Sequence, residues 1–131
     1  MRNVLVLLLL TIGLTRHAQA ADPPHASFDI EYPNQVAAIA ALQSKPGVKF
    51  RDENNWTVAT DTATNTFWSI STRGNPAHPS IVKRVLYEQA GTIRLSTRIL
   101  CGAQSEACEH MLASFKESSE ELVKQAQKRA R

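Results

Sequence analysis

Hydrophobic positions divide the chain into an apolar leader, one short helical segment, a series of alternating segments and a final helix. Residues 4–14 are a nearly unbroken apolar run, with Arg2 before it and Ala18-Gln19-Ala20 after it. A positive start, an apolar stretch and a small-x-small sequence are typical of a cleaved secretory signal peptide. We therefore expect residues 1–20 to be removed and residues 21–131 to form one domain. The apolar run is too short to span a membrane, so we expect no membrane insertion after cleavage.

The region after the leader begins with little apolar content. Residues 21–26 contain two prolines and are expected to form a loose lead-in. Apolar residues at helical spacing then predict a helix that is capped by Asn34 and runs to about Ser44. Pro46-Gly47 ends it. This helix is too short to be stable alone, so it must pack against the rest of the domain.

Short segments rich in β-branched and aromatic residues predict an antiparallel meander. They lie at 48–51, 56–60, 66–72, 81–88 and 92–100. For the last pair, we predict a three-residue loop at 89–91, with positive φ at Gly91. This register places Ile81 opposite Ile99. A five-residue loop at 61–65 in the preceding pair would place Val58 opposite Trp68.

Apolar positions from Cys108 onward follow helical spacing and predict a final helix capped by Ser105. Cys101 precedes this helix, and an even number of cysteines in a small exported domain indicates a disulfide between Cys101 and Cys108. The predicted fold is of the α+β class. It is a meander of four or five antiparallel strands with the N-terminal and C-terminal helices on one face, and the other face is left to water or a partner.

Charge excludes one broad class of function. The whole chain has a net charge of +3, and removing Arg2 and Arg16 with the leader leaves about +1. A nearly neutral domain lacks the basic surface that neutralises phosphates in nucleic-acid binding. We therefore expect no nucleic-acid partner.

Arginines supply the most distinctive candidate surface. The predicted register gathers Arg84, Arg94 and Arg98 on the sheet face away from the helices, and Arg73 lies in the connection before them. Arginines on an open sheet are suited to a carboxylate-rich envelope protein or an anionic ligand. The simpler alternative is that they only keep an exposed face soluble.

A histidine lies between two prolines in the segment Pro76-Ala77-His78-Pro79. The prolines hold it on an extended loop, which is either a binding element or an ordinary connection. No nucleophile-elbow sequence accompanies His78, and the histidines and cysteines lack the spacing of a zinc site. The sequence predicts no metal, no cofactor and no catalytic residue.

Three segments carry a resemblance to a group of proteins. They are Phe67-Trp68-Ser69, Pro76-Ala77-His78-Pro79-Ser80-Ile81-Val82-Lys83-Arg84, and the pair Cys101 and Cys108. Together they resemble small exported proteobacterial proteins for which no activity is known. The resemblance covers the C-terminal two-thirds of the mature chain. It implies an envelope location in a Gram-negative bacterium and no mechanism.

These features favour a binding protein over an enzyme. We expect a monomeric, periplasmic or secreted interaction module that uses Arg84, Arg94, Arg98, Arg73 and His78 to hold an envelope protein or an anionic ligand. One alternative is a small hydrolase with His78 as its base, which requires a pocket and a serine or carboxylate within hydrogen-bond distance. Another is a structural or stress-response protein without a tight ligand.

Overall fold

A five-stranded antiparallel meander, in the order β1-β2-β3-β4-β5, forms the centre of the fold. The computed structural model describes residues 27–131, so the predicted leader at 1–20 and lead-in at 21–26 lie outside the described residues. The elements are α1 (Gln35–Ser44), β1 (Val48–Glu53), β2 (Trp56–Asp61), β3 (Thr66–Ser71), β4 (Ser80–Gln89), β5 (Thr92–Cys101) and α2 (Ser105–Arg129). The predicted α+β class, the meander and the two helices are confirmed. Within residues 27–131, neither helix has the length and apolar character needed to cross a bilayer.

The start and end of α1 follow the predicted signals. The Asn34 side-chain oxygen accepts a hydrogen bond from the Ala37 N–H at 2.9 Å, which satisfies one of the free donors of the first turn. Gly47 follows the helix with φ +82°, a conformation that glycine adopts at little cost. The buried residues Ala38 and Leu42 attach α1 to the sheet.

The two helices contact opposite faces of the sheet, so the prediction that they share one face is wrong. Ala38 and Leu42 of α1 belong to a buried cluster that includes Ile81. Met111 of α2 belongs to a second cluster that includes Val82. Ile81 and Val82 are neighbours in β4, and successive side chains of a strand point to opposite faces. The centre of the sheet is therefore buried on both sides, and the layers run α1, sheet, α2.

The register between β4 and β5 differs from the prediction by one residue. The loop has two residues, since Ala90 and Gly91 adopt φ values of 52° and 75°. Ile81 consequently pairs with Leu100, and not with Ile99. Two successive residues with positive φ are typical of the tight turn that suits the twist of a hairpin. The predicted three-residue loop requires positive φ only at Gly91, whereas the observed loop also places Ala90 in the left-handed region, where alanine is uncommon.

The pairing of β2 with β3 is also shifted by one residue. Ala59, and not Val58, lies opposite Trp68. The two tryptophans therefore lie on opposite faces. Trp68 packs against Tyr32 on the α1 side, with ring centroids 5.1 Å apart and ring planes tilted by 47°. Trp56 meets Phe115 of α2 edge-on at 5.2 Å.

The predicted disulfide between Cys101 and Cys108 is present. It joins the end of β5 to the first turn of α2, so it holds the start of that helix beside the sheet. Gln104 is the N-cap residue and Ser105 is the first residue of α2, so the cap lies one residue before the predicted Ser105.

Candidate functional site

The structure separates the predicted arginine surface into two parts. Arg84 lies on the α2 face of β4, because it is two residues from Val82 and side chains at this spacing share a face. Arg94 and Arg98 lie on the α1 face of β5, because they pair with Tyr87 and Lys83. The prediction that these three arginines share one face is therefore wrong, and the one-residue change of register is the cause. Arg73 is exposed in the connection between β3 and β4, outside the strands.

Arg84 is half-buried against α2. Its guanidinium lies 5.2 Å from the centre of the Phe115 ring, and Nη1 donates to the Ser118 hydroxyl at 3.2 Å. Burial lowers the pKa of Arg84, and the nearby charge of Arg51 lowers it further. The Nε atom is buried without a hydrogen-bond partner among the described residues. These contacts favour a packing role, because a ligand has no direct access to a buried Nε.

Arg94 and Arg98 are both exposed on the strand at the edge of the sheet. Nε of Arg98 lies 3.6 Å from a carboxylate oxygen of Asp29, and both side chains are largely exposed. An exposed pair of this kind contributes little to stability, so the arginine remains free to exchange partners. These two arginines can reach a molecule placed alongside β5.

His78 takes part in a polar cluster between α1 and the ends of β3 and β4. Its Nδ1 atom lies 3.2 Å from both the hydroxyl and the carbonyl oxygen of Ser71. Gln35 donates from Nε2 to the Ser71 hydroxyl at 2.7 Å and to the Ser80 carbonyl oxygen at 3.1 Å. A serine thus lies within hydrogen-bond distance of His78, as the hydrolase hypothesis requires.

The Ser71 hydroxyl is nevertheless occupied by structural contacts. It is 5% exposed, and it accepts hydrogen bonds from Gln35 and from the Ser80 N–H at 2.8 Å. A nucleophile must be reachable by a substrate and free to lose its proton to a base. The hydrogen bonds found here instead connect α1 to the ends of two strands, which favours a structural role for the cluster.

A long apolar groove lies between β5 and α2. It has a volume of about 790 Å³. Its floor consists of alternate residues of β5 and residues four apart on α2, namely Leu95, Thr97, Ile99, Phe115, Ser119 and Val123. Apolar grooves of several hundred Å³ with a few polar groups are the usual form of a binding site.

Charged side chains form the rim of this groove. Lys116, Glu120 and Lys124 follow one another at intervals of four along α2, and Arg98 comes from β5. Three positive charges and one negative charge make the rim basic. Arg98 lies on the opposite face of β5 from the floor residues, yet its side chain lines the groove. The groove is therefore open at the outer edge of β5.

Sequence reasoning missed this groove, although its two halves are visible in the chain. Residues 115, 119 and 123 repeat at helical spacing, and residues 93, 95, 97 and 99 repeat at strand spacing. The predicted register also places residues 93, 95 and 99 on the face that the helices cover. The groove was missed because that prediction assigns both helices to this face, whereas α1 lies on the other face and only α2 lies beside β5.

Buried charges lie on the opposite side of the sheet, where each has a partner. Lys83 is 2% exposed, and its Nζ donates to a Glu31 carboxylate oxygen at 2.7 Å and to the Asp29 carbonyl oxygen at 2.8 Å. Lys45 pairs with Asp61 at 2.5 Å. These pairs attach residues 29–31 and the end of α1 to the sheet.

Neither a metal site nor a protein family is assigned to the described residues. Among residues 27–131, no three histidine, cysteine, aspartate or glutamate side chains are placed to hold a metal ion. Comparisons of the chain with protein-family models, curated proteins and solved structures find no match.

Proposed function

We propose that this protein is an exported, non-enzymatic interaction module that binds a segment of a partner protein in the groove between β5 and α2. The observation that carries the proposal is the groove itself, which has a volume of about 790 Å³, an apolar floor and a basic rim. Concave, mostly apolar grooves of several hundred Å³ with a few polar groups around them are the usual form of a binding site. The partner expected from the sequence, an envelope protein, is of the class that such a surface can bind.

Two observations favour the groove over the predicted arginine surface as the binding site. Arg84 is occupied by Phe115 and Ser118, and the two remaining arginines lie beside the groove at the edge of the sheet. Leu112 lies at the groove, and 49% of it is exposed within the described part of the chain. The burial of Leu112 in a complex would contribute about 1 kcal/mol to binding.

Selection from a library of displayed random peptides tests this proposal. We expect the mature protein to enrich peptides whose binding is lost in the Leu112→Glu variant, because a buried carboxylate would oppose an apolar ligand. Val36→Glu is the matched control, since Val36 is an aliphatic residue that is 79% exposed on the other helix. Peptides that bind both variants equally, or a failure to enrich any peptide, would contradict the proposal.

Export is the second part of the proposal, and the disulfide is compatible with it. Processing of the leader predicts a periplasmic or secreted product whose N-terminus is Ala21. Mass spectrometry of the protein purified from its native host measures this directly. A product that retains residues 1–20 would contradict export by this route.

The hydrolase hypothesis has one supporting observation, the 3.2 Å approach of the Ser71 hydroxyl to His78. It differs from the structural interpretation in what Ser71→Ala does. A catalytic serine would lose all activity toward a panel of ester substrates with little change in stability. A structural serine would lower the free energy of unfolding by about 1–3 kcal/mol. We expect the second result.

A further inference from the structure

The outer edge of β5 has no strand partner within residues 27–131, because β5 is last in the sheet order. The hairpin loop has two residues, and Gln89 pairs with Thr92 across it. In such hairpins the flanking pair exchanges both backbone hydrogen bonds, and every second pair after it does the same. The N–H and C=O groups of residues 93, 95, 97 and 99 therefore point outward, away from β4.

The side chains of the same four residues point toward the α2 face. They alternate with Arg94 and Arg98, and three of them form the groove floor. A strand added beside β5 would thus place every second side chain in the groove. Apolar side chains at those positions would bury the floor formed by Phe115 and Val123.

The remaining side chains of an added strand would lie on the other face, beside Arg94 and Arg98. Side chains directly opposite one another on neighbouring strands are about 5 Å apart. Carboxylates on the incoming strand would therefore lie within reach of the exposed guanidinium groups of Arg94 and Arg98, which bind carboxylates well. Lys116 and Lys124 on the groove rim have the same sign of charge.

We infer that the partner supplies an extended segment of alternating apolar and acidic residues, which adds to β5 as a sixth strand. This inference rests on the proposed function, because it assigns a partner chemistry and a binding mode to the same groove. Backbone hydrogen bonds to residues 93, 95, 97 and 99 supply register, the groove receives the apolar side chains, and the arginines select the acidic ones. Strand addition to a free sheet edge is a general mode of peptide recognition.

A second copy of this chain is disfavoured as the occupant by charge. Antiparallel pairing of two β5 edges would place the arginines of one copy beside those of the other on the same face. Like charges opposite each other destabilise a strand pair. The arginines therefore act against self-association and in favour of an acidic partner.

β1, the other edge strand within the described residues, does not have these features. Its residues 49–53 are exposed and carry charges of both signs. Mixed charge on an edge strand discourages pairing with any other strand. An apolar groove accompanies β5, which makes β5 the edge that is suited to binding.

The first experiment measures the affinity of three fluorescent octapeptides for the mature protein by anisotropy. We expect a peptide of alternating valine and glutamate to bind at least tenfold more tightly than one of alternating valine and lysine. The third peptide, with its four valines preceding its four glutamates, keeps the composition and should also bind at least tenfold more weakly. Equal affinities, or no binding of the alternating acidic peptide, would overturn the inference.

The second experiment tests backbone pairing with N-methylated versions of the alternating acidic peptide. Methylation of the valines blocks hydrogen bonds to β5 in an antiparallel addition, and methylation of the glutamates blocks them in a parallel one. We expect one version to lose at least tenfold in affinity and the other to remain within twofold. Equal affinities of both versions, or equal losses, would overturn strand addition.

Charge reversal on the protein completes the test. Arg94→Glu combined with Arg98→Glu should weaken the acidic peptide at least tenfold and strengthen the lysine peptide. The control combines Lys49→Glu with Arg73→Glu, which changes the net charge equally at exposed positions elsewhere, and should leave both affinities within twofold. Equal effects of the two double variants would overturn the assignment of the arginines.

The outcomes separate the inference from the proposed function. If displayed peptides bind the groove and depend on Leu112, but N-methylation has no effect, the module stands and strand addition is wrong. If Leu112→Glu has no effect on any selected peptide, the groove itself is wrong. A stable homodimer of the wild type that Thr97→Pro abolishes would identify a second copy as the occupant and overturn the inference, because proline removes an outward N–H.

Discussion

Individual buried charges attach the first described segment and α1 to the sheet. Lys83 combines an ion pair with Glu31, a hydrogen bond to the Asp29 carbonyl and a position 4.8 Å from the centre of the Trp68 ring. Asp61 accepts from Lys45 and from the Ala63 N–H. Because each buried charge has several partners, the cost of removing it from water is offset.

The Lys45–Asp61 pair predicts a specific pH dependence. Burial raises the pKa of Asp61, but hydrogen bonds from Lys45 and Thr64 outweigh it and hold the pKa below its usual value. The hydrogen bond to Asp61 raises the pKa of Lys45. The pair is therefore fully stabilising between the unfolded-state pKa values, about 4 and about 10. Its contribution is lost as pH falls through the lowered pKa of Asp61 or rises through the raised pKa of Lys45.

Asp61→Asn should accordingly lower the free energy of unfolding by about 1–3 kcal/mol at neutral pH. Urea unfolding at a series of pH values measures the difference from wild type, which should shrink toward both extremes. The control is Glu53→Gln, which removes an exposed pair with Arg51 and should cost less than about 0.5 kcal/mol. A difference that stays constant from pH 3 to pH 7 would contradict this account of the pair.

At the scale of elements, most of the secondary structure could be predicted because its signals are local. Asn34 and Pro46-Gly47 bound α1, and turn residues separate the strands. An even number of cysteines in a small exported domain predicts the disulfide. The assignment of faces could not be predicted in the same way. It depends on the loop length, and Ala90 adopts a conformation that alanine seldom takes.

Placing the helices required a different signal. Ile81, Val82 and Val85 include apolar residues on both faces of β4, and all three are buried. A strand with apolar residues on both faces is typical of a sheet that is covered on both sides. This feature of β4 predicts helices on opposite faces, whereas the alternation of the outer strands favours helices on one face. The groove depends on this arrangement, because it places α2 on the same face as Leu95 and Ile99.

The β4–β5 loop makes its own prediction. Ala90→Asn should stabilise the protein, because asparagine tolerates positive φ better than alanine, whose strain there is on the order of 1 kcal/mol. Gly91→Ala should destabilise it by a similar amount, since φ is +75°. Thermal unfolding of the two variants measures both effects. No gain from Ala90→Asn would indicate that Ala90 is not at a left-handed position and that the loop is longer.

At the scale of the whole molecule, the disulfide connects the sheet to the helix that completes the groove. It closes a short loop, with a separation of 7 residues. In the chain-entropy model such a loop contributes about 2–3 kcal/mol. The double variant Cys101→Ser with Cys108→Ser should lose this amount in urea unfolding, compared with wild type under oxidising conditions. A loss below about 0.5 kcal/mol would show that the disulfide does not constrain the unfolded chain as proposed.

Within residues 27–131, one face of the sheet is covered by segments that pair with its buried charges, and the other face leaves a groove open beside β5. Residues 28–32 and α1 cover the first face, where Lys83 and Asp61 are paired. On the second face, α2 lies beside β5 and leaves the groove open to the sheet edge. A free strand edge next to an apolar groove is the feature on which the proposed function depends.

Amide hydrogen exchange on β5, with and without the alternating valine–glutamate peptide, tests this account most directly. The amides of residues 93, 95, 97 and 99 point outward in the free protein, and we expect them to exchange rapidly. Saturating peptide should slow each of them at least tenfold, while the amides of the β1 edge remain unchanged. Unchanged exchange at all four amides in the presence of bound peptide would contradict the assignment of β5 as the binding edge.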